Sequence, residues 1–569
     1  MAGKDAEIFD VVIIGAGWYG LVAAKTYLKL RPKTRLKIID ADNTVGGVWS
    51  KERLYPNLVA QVKHGLFNYT DTPMPRTGAT TENMVTGDMI HSYLQTYAES
   101  HGLLPRIRFN TFVEHAERCE RGWRLSFKDS DDIIETEKLL VATGVTSIAS
   151  MPDCPAENAT VPIVHSKDLG MSYGALQNKD IRHVVVVGAA KSAYDAVYLM
   201  LSMNKEVTWI IRPDGAGPLA ILPTEIFGIF NSIAVASTRL MTYLSPSISN
   251  TDGALYHFFQ KSRVGRWCTN KFWDTITFMS NRHAGYSQAD HVSQLKPEVA
   301  SQSVFWANSG LGVVTLPNFW DVIHKGKVRV LRDGLSSINE CKVNLASGKS
   351  VDTDYVIMCT GWGNHFGMFD HETKLDIGLP SVEASSNSTH TSTEWDKLDR
   401  EANKAVDRKL PNLATPPTLA NPQRNDSQSQ RKWRLYRRAI PFNYALRNDR
   451  SLAILGQIHT VQTPLVSEMQ SFWAILYLLG ELDTPDEETM ANEIAEWNAW
   501  TRKRYLNQGL KFPYSLYDFL SYVDTLCKDL GINSHRKSNP VAELFSPYKP
   551  EDFDGFIDEY LCSHKGASS

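Results

Sequence analysis

Short unbroken apolar runs, each heading into a glycine, punctuate this chain. They are Val11-Val12-Ile13-Ile14 before Gly15, Leu139-Leu140-Val141 before Thr143-Gly144, Val184-Val185-Val186-Val187 before Gly188, and Tyr355-Val356-Ile357-Met358 before Thr360-Gly361. A run of this kind predicts a strand buried on both faces, as in a parallel sheet covered by helices. Leu36 to Ile39, Val207 to Ile211, Lys327 to Leu331, Lys342 to Leu345 and Ser451 to Leu455 add further strands. Near Phe112 and over Trp123 to Phe127 the apolar positions alternate, the mark of a half-buried strand. Helical spacing links Met89, Ile90, Tyr93, Leu94 and Tyr97. It returns at Met490, Ile494 and Trp497, and at Leu516, Leu520, Val523, Cys527 and Leu530. The order predicts an α/β chain that ends in a helical tail.

Two of these strands open a dinucleotide-binding pattern, so two Rossmann-like domains are expected. Gly15-Ala16-Gly17-Trp18-Tyr19-Gly20 follows the first strand, and Leu21-Val22-Ala23-Ala24 begins a helix. Asp40 closes the next strand. Strand, G-x-G-x-x-G, helix, strand and acid is the full context of a motif that binds an adenine dinucleotide. Gly15 makes the turn, Gly17 lets backbone approach a pyrophosphate, Gly20 lets helix and strand pack, and Asp40 accepts from ribose hydroxyls. The free N–H groups of the helix start serve the phosphates. The second pattern is Gly188-Ala189-Ala190-Lys191-Ser192-Ala193. Alanine is tolerated at its end, but Ala190 puts a methyl where the pyrophosphate approaches. Arg212 ends the following strand. A cation there suits the 2′-phosphate of NADPH, where NADH would want an acid, and Lys191 adds charge. The plainer reading of Arg212 is a solvated strand end.

Composition narrows the class. The 569 residues carry a net charge of −3, with 43% apolar and 22% charged residues, so the chain reads as a soluble globular protein with no basic field for nucleic acid. Seven cysteines (119, 154, 268, 341, 359, 527 and 562) form no close pair. That points to a reduced, cytoplasmic protein and argues against a disulfide reductase or a metal site. A polar leader before the first strand leaves no room for a signal peptide. Pro218 to Ile248 is apolar, with Glu225 and Arg239 its only charges, and its uncharged part, Ile226 to Thr238, is shorter than the roughly 20 residues that span a bilayer. Core or channel lining is expected first, a monotopic membrane contact second. The aromatics of 255–320 are expected in core, with an aromatic substrate pocket as the alternative. Residues 382–432, rich in Ser, Thr, Asn, Pro and charge, read as a long surface loop. Thr463-Pro464 predicts a helix start with threonine as cap.

Two dinucleotide folds, Val45-Gly46-Gly47-Val48-Trp49, Tyr55-Pro56-Asn57-Leu58 and Ala142-Thr143-Gly144 occur in the order found in flavin-containing monooxygenases, the class B flavoprotein oxygenases. The chain resembles that family from about Phe9 to about Leu482, and looks most like its metabolite-tailoring members. The resemblance implies FAD in the first fold, at Gly15, Gly17, Gly20, Asp40, Gly47, Trp49, Thr143, Gly144, Thr360, Gly361, Gly456 and Thr463. It implies NADPH in the second, at Gly188, Lys191, Ser192, Ala193 and Arg212. The FAD domain is then discontinuous, at 1–170 and 331–484, with the NADPH domain inserted at 171–330. The helical region 485–569 is read as packing or a lid.

Between the folds the family shows F-x-G-x-x-x-H. Of the matching Ala159 to His165 only His165 survives. Its implied role is to position the linker and the nicotinamide cofactor; the alternative is a histidine satisfied within a turn. The family aims the helix start at Thr463 toward the flavin ring. Counting from Tyr55, Gln61 holds the place of the family's asparagine beside the flavin oxygen adduct, and its amide is the catalytic candidate. Asn68 and Asp71 are further candidates, and a plain polar loop residue is the alternative. The implied activity is NADPH-dependent insertion of one atom of O2 into a small apolar metabolite through a C4a-(hydro)peroxyflavin. The missing phenylalanine and glycine favour N- or S-oxygenation or epoxidation over Baeyer–Villiger insertion. An oxidase or reductase of the same fold, and a non-catalytic flavin binder, stay open.

Overall fold

The computed structural model describes residues 6–565 apart from 157, 227, 299–302, 364, 381–390, 422–431 and 512–513. Strand β1 (Glu7–Ile14), helix α1 (Trp18–Leu30) and β2 (Leu36–Ile39) stand where the apolar runs place them. β1 pairs in parallel with β2 and with β3 (Ser130–Val141), Val11 lying against Leu36 on one side and Lys138 on the other. Ile107–Arg108 extends the sheet beyond β2, and Gly122–Phe127 and Val113–Cys119 extend it antiparallel beyond β3. Val11 to Ile13 and Leu139 to Val141 are fully buried, as a sheet covered on both faces requires.

The second sheet grows from β4 (His183–Val187), α2 (Lys191–Ser202) and β5 (Glu206–Ile211). The chain then makes α3 (Arg263–Ala284) and β6 (Leu311–Val313), and returns with β7 (Val328–Arg332) and β8 (Tyr355–Met358). The sheet order is β7, β5, β4, β8 and the short strand Ile163–His165, all parallel. This corrects the expected return to the first fold at residue 331. β8 belongs to the second sheet, and the chain rejoins the first only beyond Thr360-Gly361. A strand running into Thr-Gly occurs in both folds, so the motif alone does not say which sheet it serves.

Pro218 to Ile248 forms short strands and two short helices, and Leu219, Ile221, Leu222, Ile233, Met241 and Leu244 are buried. Arg239 is buried too and donates at 2.5 Å to Asp524 and to Glu543 of the C-terminal region. Most of this stretch is therefore core, while Ile229 and Phe230 in the turn between its short strands are exposed at 74% and 57%. No helix of the described residues is long and apolar enough to cross a membrane.

Helix α4 (Thr391–Lys409) stands within 382–432, where a loop is expected; the parts of that loop at 382–390 and 422–431 lie outside the described residues. Trp395, Leu398, Ala402 and Val406 recur at helical spacing and pack on the core. β9 (Leu452–Ile454) then joins the first sheet beside β3 and leads to α5 (Thr463–Leu479), buried along nearly its whole length. α6 (Glu487–Lys511), broken at Leu506 (φ 48°, ψ −125°), and α7 (Phe519–Leu530) follow, with α7 packed on α5 and α1 on α5 as well.

Candidate active site

A cavity of about 740 Å³ opens where β1, β3 and β9 end. Gly15, Gly17, Asp40, Gly47, Trp49, Thr143, Gly144, Gly456 and Thr463 all line it. The backbone explains why three of the motif positions are glycine. At Gly15, with φ 109°, a Cβ would stand 2.4 Å from the Ala142 carbonyl oxygen. At Gly20, beneath the cavity, it would come within 1.8 Å of the Gly15 carbonyl oxygen. At Gly17 the nearest atom is the Gly47 Cα at 3.6 Å, so there is room, and the room is the cavity. α1 therefore presents a bare first turn with free N–H groups. Trp18 Nε1, the Tyr19 hydroxyl and Thr143 Oγ1, all on residues of this wall, are buried without a partner among the described residues. A bare helix start, an acid to one side and orphaned polar groups along the wall fit an extended dinucleotide such as FAD.

Asp40 stands at one end of the cleft, beside the glycine turn. Its Oδ2 accepts the Ala16 N–H at 2.5 Å and its Oδ1 the Asp42 N–H at 2.8 Å, so it also clamps the glycine turn. Burial pushes this carboxyl up to about 6, against the pull of those two donors. The far end is bounded by Phe67, Gly456, Ile458, His459, Thr460 and Thr463. There α5 begins. Gln462 occupies the cap place, Thr463 is the first helical residue and no side chain caps the helix, which corrects the expected threonine cap. The uncapped N–H groups and the positive end of the dipole lie at this end of the cleft.

Sequence reasoning misses His459. It lies deep in the molecule, yet its ring is open to the cavity, and no described residue bonds its nitrogens. Solvent reaches it through the cavity, but the protein packed around the ring pushes its pKa down, to about 4. Tyr514, from the segment between α6 and α7, stacks on it at 4.9 Å and 18°, and the Ser515 N–H donates to the His459 carbonyl at 3.0 Å. The C-terminal region is thus part of the wall.

In the second fold Gly188 repeats Gly15: a Cβ there would meet the Cys359 carbonyl oxygen at 2.2 Å. Lys191, Ser192 and Ala193 begin α2, and Lys191 Nζ lies 2.5 Å from Asp195. The Arg212 side chain is 74% exposed, with Asp214 4.0 Å away. Arg332, unmarked in the sequence, pairs in register with Ile211 and donates to the Gly217 carbonyl at 3.4 Å. Two arginines therefore stand at adjacent strand ends.

Other expected residues fall elsewhere. Gln61 does not line the cavity. Its strand, Val59–Lys63, sets it at the seam between the folds, where its Oε1 accepts the Val313 N–H at 2.5 Å beside Lys191. His165 is bonded at both nitrogens: Nε2 donates to the Gly361 carbonyl at 2.9 Å and Nδ1 accepts the Lys167 N–H at 3.1 Å. Lys167, not His165, lines the cavity. Thr360 Oγ1 donates to the Ser150 carbonyl at 2.6 Å, so Thr360-Gly361 ties the inter-fold linker to β8 and is absent from the flavin cleft. Asn68 is buried and bonds the Tyr69 carbonyl, and Asp71 pairs with Lys25 at 2.5 Å; neither borders the cavity.

Known proteins share this plan. The family model described as pyridine nucleotide-disulphide oxidoreductase matches residues 12–219. The chain is 41% identical to the FAD-dependent monooxygenase DEP4 of Fusarium langsethiae, over 98% of this chain and 95% of that one. It is 38% identical to the FAD-dependent monooxygenase resA of Aspergillus sclerotiorum, over 98% and 99%. Among solved structures, cyclohexanone monooxygenase from Rhodococcus sp. Phi1 bound to NADP+ has the same fold, with a TM-score of 0.60 at 14% identity over 93% of this chain and 98% of that one. With a cleft whose glycines, acid and uncapped helix suit FAD, and with relatives of this length and identity, the chain belongs to the class B flavin monooxygenases and is an FAD-dependent monooxygenase.

Proposed function

We propose that the enzyme uses NADPH to insert one oxygen atom of O2 into a small apolar metabolite, by N- or S-oxygenation or by epoxidation. The observation that supports NADPH is the pair Arg212 and Arg332 at adjacent strand ends of the second sheet. A charge-assisted bond from Arg212 to the 2′-phosphate is worth about 1.5–3 kcal/mol, or roughly 10- to 150-fold in affinity. Arg212→Ala is expected to lower kcat/KM for NADPH by such a factor with little effect on NADH. An unchanged ratio would place the phosphate site elsewhere.

FAD in the cleft supplies hydride acceptance and oxygen activation. The protein's own groups orient and enclose. The α5 start favours negative charge at the ring end. His459 offers one donor and one acceptor there without carrying charge. At the seam, Gln61 has an amide whose N–H groups bond no described residue, and Lys191 is already paired with Asp195. A neutral donor suits oxygen transfer to a nucleophilic amine, sulfide or alkene. Attack on a ketone needs an anionic oxidant held by a cation, and the cation of the cleft wall that such chemistry would use is Lys167. Oxygen-isotope labelling with candidate substrates tests this. Label in an amine oxide, sulfoxide or epoxide supports the reading. Label in an ester or lactone sinks it and favours Baeyer–Villiger insertion, and hydrogen peroxide with no labelled product makes the enzyme an oxidase.

A further inference from the structure

Apolar side chains gather on the outside of the molecule along α3 and the turn before it. Leu255, Phe258, Val264, Trp267 and Phe278 are all exposed, the last three at 62%, 60% and 61%. α3 buries Gly265, Thr269, Trp273, Ile276, Ser280 and Ala284 on one face. Val264, Trp267, Lys271, Phe278 and Arg282 recur on the opposite face at helical spacing. Beside this stripe lies a second cavity, of about 670 Å³, bordered by Arg263, Arg266, Trp267, Lys271 and Asn412. Arg266 Nε and Asn412 Nδ2 are buried donors with no partner among the described residues. Asp274 also borders the cavity and pairs with Lys271 at 3.0 Å. Arg263 and Arg266 have no acid partner among the described residues. The span 253–284 holds five Lys and Arg against one Asp, in a chain of net charge −3.

We propose that this face docks on a bilayer surface bearing anionic phospholipid. The Val264, Trp267 and Phe278 side chains enter the boundary between headgroups and acyl chains, and a headgroup phosphate occupies the Arg263, Arg266 and Asn412 cavity. A helix that is core on one side and apolar with basic flanks on the other matches the physics of interfacial helices. The sign of the charge selects the occupant. A second copy across a two-fold axis would set this cationic patch against itself, where like charges repel. The docking face is separate from the flavin cleft, since the two cavities share no residue. It is also distinct from the stretch 218–248, which buries Leu219, Ile221, Leu222, Ile233, Met241 and Leu244 and exposes only its Ile229-Phe230 turn among its described large apolar side chains.

The test uses the full-length, flavin-loaded enzyme. It is sedimented with vesicles of phosphatidylcholine alone or of phosphatidylcholine with phosphatidylserine. Binding is expected to the serine-containing vesicles, weaker with added salt, and marginal to the neutral ones. Trp267→Glu with Phe278→Glu, and separately Arg263→Gln with Arg266→Gln, should each weaken it by roughly 10-fold or more. Both pairs should leave NADPH oxidation on a soluble substrate unchanged, because these exposed residues lie outside the cleft. Failure of the wild-type protein to sediment with serine-containing vesicles overturns the proposal, as does equal binding to neutral ones. Saturable binding of inorganic phosphate without vesicle binding would reduce the cavity to a free-anion site. A concentration-dependent dimer abolished by Trp267→Glu would assign the face to a second copy.

Discussion

A Cβ at Gly17 meets nothing closer than 3.6 Å, whereas one at Gly20 stands 1.8 Å from a backbone oxygen. Two positions of one motif thereby separate binding from folding. Gly17→Val is expected to fold with a near wild-type thermal midpoint and to lack flavin, because its methyls stand in the pyrophosphate space. Gly20→Val is expected to lose folded protein, because the Gly15 carbonyl cannot move aside. Flavin absorbance per polypeptide and circular dichroism on both variants check this, and full flavin on Gly17→Val would refute the cleft assignment. Glu468 gives a second expectation at this scale. It is buried in α5, where the Thr70 N–H and hydroxyl donate to it at 2.8 and 3.0 Å. Burial pushes its carboxyl up to about 8 from the ordinary 4.5, more than the Thr70 N–H and Lys25 pull it down. The folded state thus keeps a proton that the unfolded chain has lost. Across that window stability falls as pH rises, by about 1.4 kcal/mol per pH unit from this group. Glu468→Gln keeps the shape and has no proton to lose. Its thermal midpoint should gain on the wild type between roughly pH 5 and pH 8; a constant difference would show that the carboxyl does not titrate there.

α4 hangs on one buried acid. Arg434 donates to both Asp399 oxygens, at 3.2 and 2.9 Å, Lys432 lies at 2.8 Å, and the Arg434 guanidinium sits 3.8 Å from the Trp395 ring centre. Burial opposes the charge on Asp399, but Arg434 and Lys432 outweigh it and hold the carboxyl below its usual range. Asp399→Ala strands the arginine and is expected to cost about 3–5 kcal/mol. Hydrogen exchange should speed up over 394–409 and stay slow in the first sheet; equal acceleration in both would mean that α4 is no separate unit. The same helix marks a limit of sequence reading. Trp395, Leu398, Ala402 and Val406 are in phase, but they are few among charges, and composition outweighs them. Both sheets are legible because strands buried on two faces leave unbroken apolar runs. β8 is legible as a strand but not as a member of the second sheet. The cleft glycines are legible because each answers to a local turn or close approach. His459, Tyr514 and the Gln61 contact to Val313 are not, because each pair is assembled only by the packing of distant segments.

At the scale of the whole molecule, one side chain pins the apolar stretch after β5 to the C-terminal region. Arg239 is 4% exposed, donates to Asp524 on α7 and to Glu543, and lies 5.0 Å from the Tyr548 ring. α7 covers α5, whose start borders the flavin cleft, so the pin supports the wall that Tyr514 and His459 complete. Arg239→Ala leaves two carboxylates in a site built around a cation, a loss expected to cost about 3–5 kcal/mol at neutral pH. The sign of its pH dependence follows from Asp524. Burial already raises that carboxyl, against the pull of Arg239, and without the cation it rises further. Stability tied to a raised carboxyl is present below the unfolded value and lost as pH climbs through the folded one. The wild type carries a smaller share of that penalty, because Arg239 pulls the carboxyl down. The gap in thermal midpoint between wild type and Arg239→Ala should therefore widen toward roughly pH 8 and narrow toward pH 5. Arg239→Lys, which keeps the charge but not the two-sided fork, should recover part of the gap. A gap that stays constant with pH would mean that packing against Tyr548, and not charge, holds the C-terminal region in place.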